Sequence, residues 1–282
     1  MKKIKGRLTR SSPTLAPDLG WLVELGKTPN YLRTDIDRLI PLQHKLSVAE
    51  APAYERKVEA VFSSLEGLHR SGQTAAVIEL SERFLSRLEE SWHHVEDPFI
   101  TLGCILDRLE ELHREACEEV RPEPRALANR LCHRELASPI GVFTGAVMHY
   151  YSVLGEAGVE EYRSLVEPLW EAMPGLDADH DQGWRIQQVM ESVAQASGDV
   201  DEVVRAMSRN LFLPCRYLQI AMLLRREGRV PEGREWAERG LARFPDDEPL
   251  KRFLGREPQR EFTSEEDLGV IVALRAAGLM DF

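Results

Sequence analysis

The chain has 282 residues, of which 43 % are apolar and 29 % are charged, and its formal net charge is −11. This balance supplies enough apolar surface for a folded core and excludes a largely disordered protein. The acidic excess disfavours general nucleic-acid binding, because phosphate backbones attract basic surfaces.

The first residues form a short basic segment. Prolines and serines follow the basic residues, so we expect residues 1–17 to be a flexible lead-in. No apolar stretch of the kind that a secretion signal needs follows Met1, and charges interrupt every window long enough to cross a bilayer. The sequence therefore predicts a cytoplasmic protein without a membrane segment. The basic residues of the lead-in are Lys2, Lys3, Lys5, Arg7 and Arg10.

Apolar residues recur at three- and four-residue spacings from residue 18 onward, whereas alternating strand patterns are scarce. The predicted fold class is all-α, with residues 18–261 as one helical body. We predict helices at 18–27, 30–45, 52–71, 74–92, 97–120, 123–136, 139–155, 158–172, 182–197, 200–211, 215–228, 231–243 and 264–278.

Short glycine turns separate several of these helices, at Gly72, Gly158, Gly198 and Gly228. Glycine adopts the left-handed conformation that ends a helix and lets the next helix fold back antiparallel. The sequence therefore predicts stacked antiparallel helical hairpins.

The stretch Tyr217–Pro245 carries the clearest repeat pattern. Small residues at close helix approaches alternate there with larger neighbours that interlock around them. The stretch resembles a tetratricopeptide repeat, and this resemblance implies a tetratricopeptide-like α-solenoid. The positions that match are Tyr217, Ile220, Ala221 and Leu224 in the first helix, Gly233, Ala237, Gly240 and Leu241 in the second, and the terminating Pro245.

From about residue 55 to 250, the order of features is also similar to the helical region that follows SWIM zinc fingers in bacterial proteins. The finger itself requires a Cys-x-Cys pair followed by Cys-x-His, and the four cysteines form neither pairing, so no zinc or nucleic-acid role carries over. The segments that suggest the similarity are 85–90, 139–143, 161–163, 197–201 and 217–245.

Three residues are weak candidates for a metal site. His113 and Cys117 lie four apart on one helix face, and Cys132 with His133 follows on the next helix. Adjacent helical residues point about 100° apart, which prevents Cys132 and His133 from reaching one ion together. We predict no metal and no other cofactor.

Acidic residues crowd the predicted helix 97–120, and Arg114 lies among them. This mixture is typical of a solvated helix face. Because no phosphate loop or nucleophile motif is present either, we predict that the protein is not an enzyme. The acidic residues are Glu110, Glu111, Glu115, Glu118 and Glu119.

The candidate partner-binding residues are aromatic and basic. His149, Tyr150 and Tyr151 cannot all face one core, and arginines are concentrated in the last hairpin, where they suit carboxylate or phosphate groups. We predict a non-catalytic scaffold or adaptor whose groove binds another protein or a peptide segment. The alternatives are a nucleic-acid-associated accessory protein and a helical enzyme or metal protein. The arginine candidates are Arg216, Arg225, Arg226 and Arg229.

Residues 262–282 form the last predicted element. Thr263 or Ser264 can cap a helix whose first turn is acidic and whose later residues are apolar. We expect this helix either to cap the Tyr217–Pro245 hairpin or to dock on another chain.

Overall fold

In the computed structural model, which describes residues 30–96, 98–173 and 181–255, the backbone consists of helices and loops and contains no strand. The prediction of an all-α fold is therefore confirmed. No helix within these ranges is both long and apolar enough to cross a membrane. The helices are α1 (Asn30–Leu39), α2 (Ala51–Arg70), α3 (Thr74–Ser91), α4 (Pro98–Val120), α5 (Pro124–Ala137), α6 (Ala146–His149), α7 (Tyr151–Ala172), α8 (Asp181–Ser197), α9 (Val200–Ser208), α10 (Pro214–Arg226), α11 (Val230–Arg243) and α12 (Glu248–Gly255).

Caps and prolines set several of the helix starts. The side chain of Asp199 accepts hydrogen bonds from the backbone N–H groups of Asp201 and Glu202, which caps α9. Pro124 and Pro214 begin α5 and α10, where the missing N–H has no intrahelical partner to lose. These local signals explain why the three starts agree with the predicted ones to within one residue.

Three predicted helices are wrong in extent, and the one predicted at 158–172 begins seven residues earlier, at Tyr151. The helix predicted at 30–45 ends at Leu39, because Pro41 disfavours a helical conformation at Ile40. The helix predicted at 139–155 is replaced by a loop at 138–145, the short α6 and the start of α7. Gly141 and Gly145 have φ angles of +81° and +74° in this loop, which are incompatible with a right-handed helix.

Three of the four predicted glycine turns are confirmed, since Gly72, Gly198 and Gly228 are left-handed between consecutive helices. The turn predicted at Gly158 is wrong. Gly158 lies inside α7, where a Cβ atom would come within 2.6 Å of Leu154 Cβ. The break in α7 falls instead at Gly155, with φ +53° and ψ −166°.

Ion pairs join four pairs of next-but-one helices, and in each pair the two helices run parallel. Between α1 and α3, Arg33 pairs with Glu79 and Asp37 pairs with Arg83, so the contacts advance in the same direction along both helices. The other such pairs are α2 with α4 through Glu59–Arg108 and His69–Glu119, α3 with α5 through Glu82–Arg130 and Glu89–Arg134, and α7 with α9 through Arg163–Glu202 and Glu167–Arg205.

The apolar core forms two clusters of buried side chains between these helices. One cluster of buried side chains runs from Leu32 in α1 to Leu224 in α10. A smaller cluster, centred on Tyr217, Ala237 and Leu250, joins α10, α11 and α12. The C-terminal helices therefore have a core of their own in addition to their contacts with the main one.

Two glycines mark the closest approach of α10 and α11. A Cβ atom at Gly233 would come within 2.7 Å of the backbone oxygen of Ala221, and one at Gly240 within 2.7 Å of Tyr217 Cβ. The positions matched to a tetratricopeptide repeat are thus packing positions, and all of those in the two helices except Leu241 are buried.

Some predicted elements lie outside the described residues: the lead-in 1–17, the helices at 18–27 and 264–278, and the C-terminal element 262–282.

Helix α12 is absent from the sequence-based prediction. Its start is capped by Asp247, whose Oδ1 atom accepts a hydrogen bond of 2.9 Å from the backbone N–H of Leu250.

Candidate functional site

Tyr150 and Tyr151 have opposite environments although they are adjacent in sequence. Tyr150 is 3 % exposed and packs against His113 and Phe143, whereas Tyr151 is 44 % exposed at the start of α7. His149 is exposed as well. Of the two tyrosines, Tyr151 is the one whose side chain a partner could contact.

Arg216 is buried in α10 and serves the fold. Its guanidinium group pairs with Glu191 of α8 and donates a hydrogen bond of 3.2 Å to the backbone oxygen of Asn210. A second hydrogen bond of 3.2 Å reaches Gln219. These contacts tie α10 to α8 and leave 5 % of the residue exposed.

The other three candidate arginines lie around the turn between α10 and α11. Arg226 is exposed and its Nε atom is 3.0 Å from Glu227. Arg229 binds Asp201 at the start of α9, with 2.6 Å between Nη1 and Oδ1. The guanidinium group of Arg225 lies 5.3 Å from the centre of the Phe253 ring. Of these three arginines, Arg226 is the most exposed.

The weak metal candidates are only partly brought together. The Sγ atom of Cys117 lies 3.9 Å from both ring nitrogens of His113, and both residues are fully buried in α4. Cys132 lies in α5 close to Glu135 and Glu161. Within the described ranges, no three His, Cys, Asp or Glu side chains are placed so that they could hold a metal ion.

His113 is instead the centre of a buried hydrogen-bonded network. Its Nδ1 atom is 2.7 Å from the hydroxyl of Tyr150, and its Nε2 atom is 3.2 Å from Oε1 of Glu82 in α3. Arg130 of α5 places Nη2 at 3.3 Å from the same carboxylate oxygen. The network therefore links α3, α4, α5 and the segment before α7.

The network raises the pKa of His113 to about 9. Burial alone would lower the pKa of this imidazole, but its contacts with Cys117 and Glu82 outweigh burial. Burial likewise disfavours the ionised Glu82, yet His113 and Arg130 hold the pKa of its carboxyl below the usual value. Each side chain of the pair thus favours the ionised form of the other.

The loop 138–145 contacts one carboxyl from each of three consecutive helices, of which Glu135 is buried and Glu89 and Glu110 are half-buried. Glu89 of α3 accepts a hydrogen bond from the hydroxyl of Ser138. The carboxyl of Glu110 in α4 lies near the backbone N–H of Phe143. Glu135 of α5 accepts a hydrogen bond of 2.7 Å from the backbone N–H of Gly145.

Two of these carboxyls have strongly raised pKa values. Burial raises the pKa of Glu110 to about 7, and the nearby charges of Asp107 and Glu89 add to the effect. Burial raises the pKa of Glu135 to about 8, although hydrogen bonds from Gly145 and Tyr162 lower it in part. Both groups can therefore gain or lose a proton near neutral pH.

A small cleft opens beside the loop, next to the carboxyl of Glu135. It lies between the loop and α8, and Arg185 of α8 closes one side by donating a hydrogen bond to the backbone oxygen of Ser138. The lining residues are Glu135, Gly141, Thr144, Arg185, Gln188 and Val189.

The sequence did not single out these carboxyls. The acidic pattern of this helix predicts a solvated face for Glu110 as for its neighbours, and this prediction is wrong for Glu110, which is half-buried. Glu111 and Glu115 are exposed as predicted. The signal that was available is helical spacing: Glu110 lies three residues before the buried His113, on the same side of α4.

The chain has no significant match to a protein-family model, to a curated protein or to a solved structure. The resemblances to a tetratricopeptide repeat and to the SWIM-associated helical region therefore stay predictions.

Proposed function

We propose that the protein is a non-catalytic adaptor, a tetratricopeptide-like α-solenoid that binds a segment of another protein. The observation that carries this proposal is the parallel direction of next-but-one helices, which ion pairs join from α1 with α3 to α7 with α9. Stacked helical hairpins have this relation, and such stacks present extended surfaces to partner peptides.

A second observation supports a binding role for one edge of the stack. Antiparallel hairpins place alternate connections on the same edge, and side-chain contacts agree with this. Thr74 at the start of α3 hydrogen-bonds Glu119 at the end of α4, and Arg121 donates to the backbone oxygen of Ser152 at the start of α7. We call this the turn edge: the α2–α3, α4–α5, α8–α9 and α10–α11 turns with the start of α7.

The turn edge carries both of the accessible candidates, Tyr151 and Arg226. An exposed aromatic ring and a guanidinium group are the side-chain types that contribute most to protein interfaces. Three acid–base groups with strongly raised pKa values, by contrast, make their contacts within the fold: His113, Glu110 and Glu135. This division favours a binding role over a catalytic one.

Capture of the partner from the cells that make the protein tests this proposal. We expect the tagged full chain to enrich a partner protein. With the double variant Tyr151→Ser/Arg226→Glu, the enrichment of that partner should fall at least about tenfold, because truncating an aromatic or arginine at an interface hot spot costs about 2 kcal/mol. Quantitative mass spectrometry of the captured proteins measures the loss.

Arg56→Glu is the matched control, since Arg56 is an exposed arginine near the start of α2, away from the turn edge. It should retain the partner. Enrichment that is equal for all three chains would contradict the assignment to the turn edge, and the absence of any enriched protein would contradict the adaptor role. Enrichment of nucleic acid that disappears as salt rises would support the alternative function.

A further inference from the structure

The carboxyl of Glu135, at the end of α5, is buried without a cationic partner among the described residues. The residue is 4 % exposed. Its oxygens accept hydrogen bonds from the backbone N–H of Gly145, at 2.7 Å, and from the hydroxyl of Tyr162, at 3.3 Å. No ion pair reaches it from the described part of the chain, and the nearby side chain of Glu110 is acidic as well. Buried carboxylates are ordinarily paired with a cation, so this carboxyl suits a cationic ligand.

The cleft beside Glu135 supplies two further hydrogen-bond acceptors. Gln188 of α8 lines it, and the carboxamide of Gln188 makes no hydrogen bond within the described part of the chain. Thr144 lines it too, and because the Thr144 hydroxyl donates its proton to the backbone oxygen of Gly141, the hydroxyl oxygen is left to accept. Three acceptors around one cleft match the three N–H donors of an ammonium group.

A cationic donor lines the same cleft. Arg185 of α8 donates a hydrogen bond from one guanidinium nitrogen to the backbone oxygen of Ser138. A guanidinium group has five N–H donors, and the others suit a carboxylate or a carbonyl oxygen. Val189 adds an apolar side chain to the lining. The cleft therefore complements a molecule that carries an ammonium group next to an oxygen acceptor.

The volume of the cleft limits the size of that molecule. It is about 60 Å³. Because one water-sized group needs roughly 10–15 Å³ of such space, the cleft holds about four to six heavy atoms. Glycine and alanine have this size, whereas amino acids with longer side chains exceed it.

The loop 138–145, which forms one wall of the cleft, is strained. Phe143 has a φ angle of +63°, a conformation that non-glycine residues rarely adopt and that is found most often at binding and active sites. From the lining of the cleft we propose that it binds an α-ammonium group together with the neighbouring carboxylate or carbonyl oxygen. The source is either free glycine or alanine, or a peptide whose N-terminal residue is one of them. The loop follows the end of α5 and the turn edge precedes its start, so this site does not rest on the proposed adaptor role.

Isothermal titration calorimetry of the full chain tests the site. We expect glycine, alanine or triglycine to bind with a dissociation constant of about 1 mM or lower, which is within the affinity that about five heavy atoms can provide. Binding of the free amino acids alone would identify them as the source, and binding of triglycine would identify a peptide N-terminus. N-acetylglycine lacks the ammonium group and leucine exceeds the cleft, so both should bind at least about tenfold more weakly.

Two variants assign the binding to the cleft. Glu135→Gln removes the charge that receives the ammonium group and should weaken binding at least about tenfold. Because Glu135 also holds the loop, Gln188→Leu is the second variant: it removes an acceptor that has no role within the described fold, and should weaken binding about tenfold as well. Circular dichroism verifies that both variants are folded.

Gln195→Leu is the matched control, because Gln195 is a half-buried glutamine of the same helix, seven residues further on. It should bind like the unmodified chain. Absence of binding by glycine, alanine and triglycine would overturn the proposal. Equal binding of N-acetylglycine or leucine, or unchanged binding in both cleft variants, would overturn it too.

Discussion

Replacing Gly240 with Leu should unfold the α10–α12 unit. A Cβ atom at this position would lie 2.7 Å from Cβ and 2.9 Å from Cγ of Tyr217, and 3.0 Å from Cδ1 of Leu250. These neighbours belong to the small core that joins the last three helices, so they cannot move apart without opening it. We expect a loss of about 1–3 kcal/mol or more in the free energy of unfolding.

Thermal and denaturant unfolding followed by circular dichroism would measure this loss. Gly67→Leu is the matched control, because Gly67 lies inside α2 and a Cβ atom there would meet no other atom within 4 Å. Equal stabilities for the two leucine variants would mean that α10 and α11 do not approach each other as described.

The second large effect should come from Arg216→Ala. Removing the guanidinium group leaves the carboxylate of Glu191 in a site where its side chain is only 13 % exposed. Breaking a buried ion pair from one side costs about 3–5 kcal/mol, because the remaining charge loses its countercharge. Glu191 would keep only the neutral donor Gln187, whose Nε2 atom lies 2.6 Å from Oε1. We expect a loss of that order in the free energy of unfolding.

Two further variants separate charge from volume. Arg216→Met/Glu191→Met removes both charges and should recover most of the stability, since an apolar pair can replace a buried ion pair. Arg226→Ala, at an exposed arginine of the same helix, should change stability by less than about 0.5 kcal/mol. If Arg216→Ala were as mild as Arg226→Ala, the pair with Glu191 would not be buried.

The sequence predicted the helices well because their signals are local. Apolar spacing, first-turn prolines and the cap at Asp199 act within one or two turns, and the glycine turns at Gly72, Gly198 and Gly228 need no distant partner. The failure at 139–155 arose where local spacing conflicts with left-handed glycines and with hydrogen bonds from other helices.

The site could not be predicted in the same way because its contacts join distant positions. Ser138 meets Glu89 49 residues away in sequence, and Tyr150 meets His113 37 residues away. One sequence carries no sign of these pairings. For that reason Glu110 was assigned to a solvated face, and Tyr150 was named beside Tyr151 as a candidate for binding.

We propose that the exposed turn edge binds the partner while the buried polar residues hold the fold together. The most direct measurement is photo-cross-linking in the cells that make the protein, with a photoreactive residue placed at position 151, at position 226, or at position 48. Val48 is 79 % exposed but lies in the loop between α1 and α2, away from the turn edge. We predict that positions 151 and 226 cross-link to one and the same partner protein and that position 48 does not. Cross-linking of that partner from position 48 alone, or of none from positions 151 and 226, would contradict the claim.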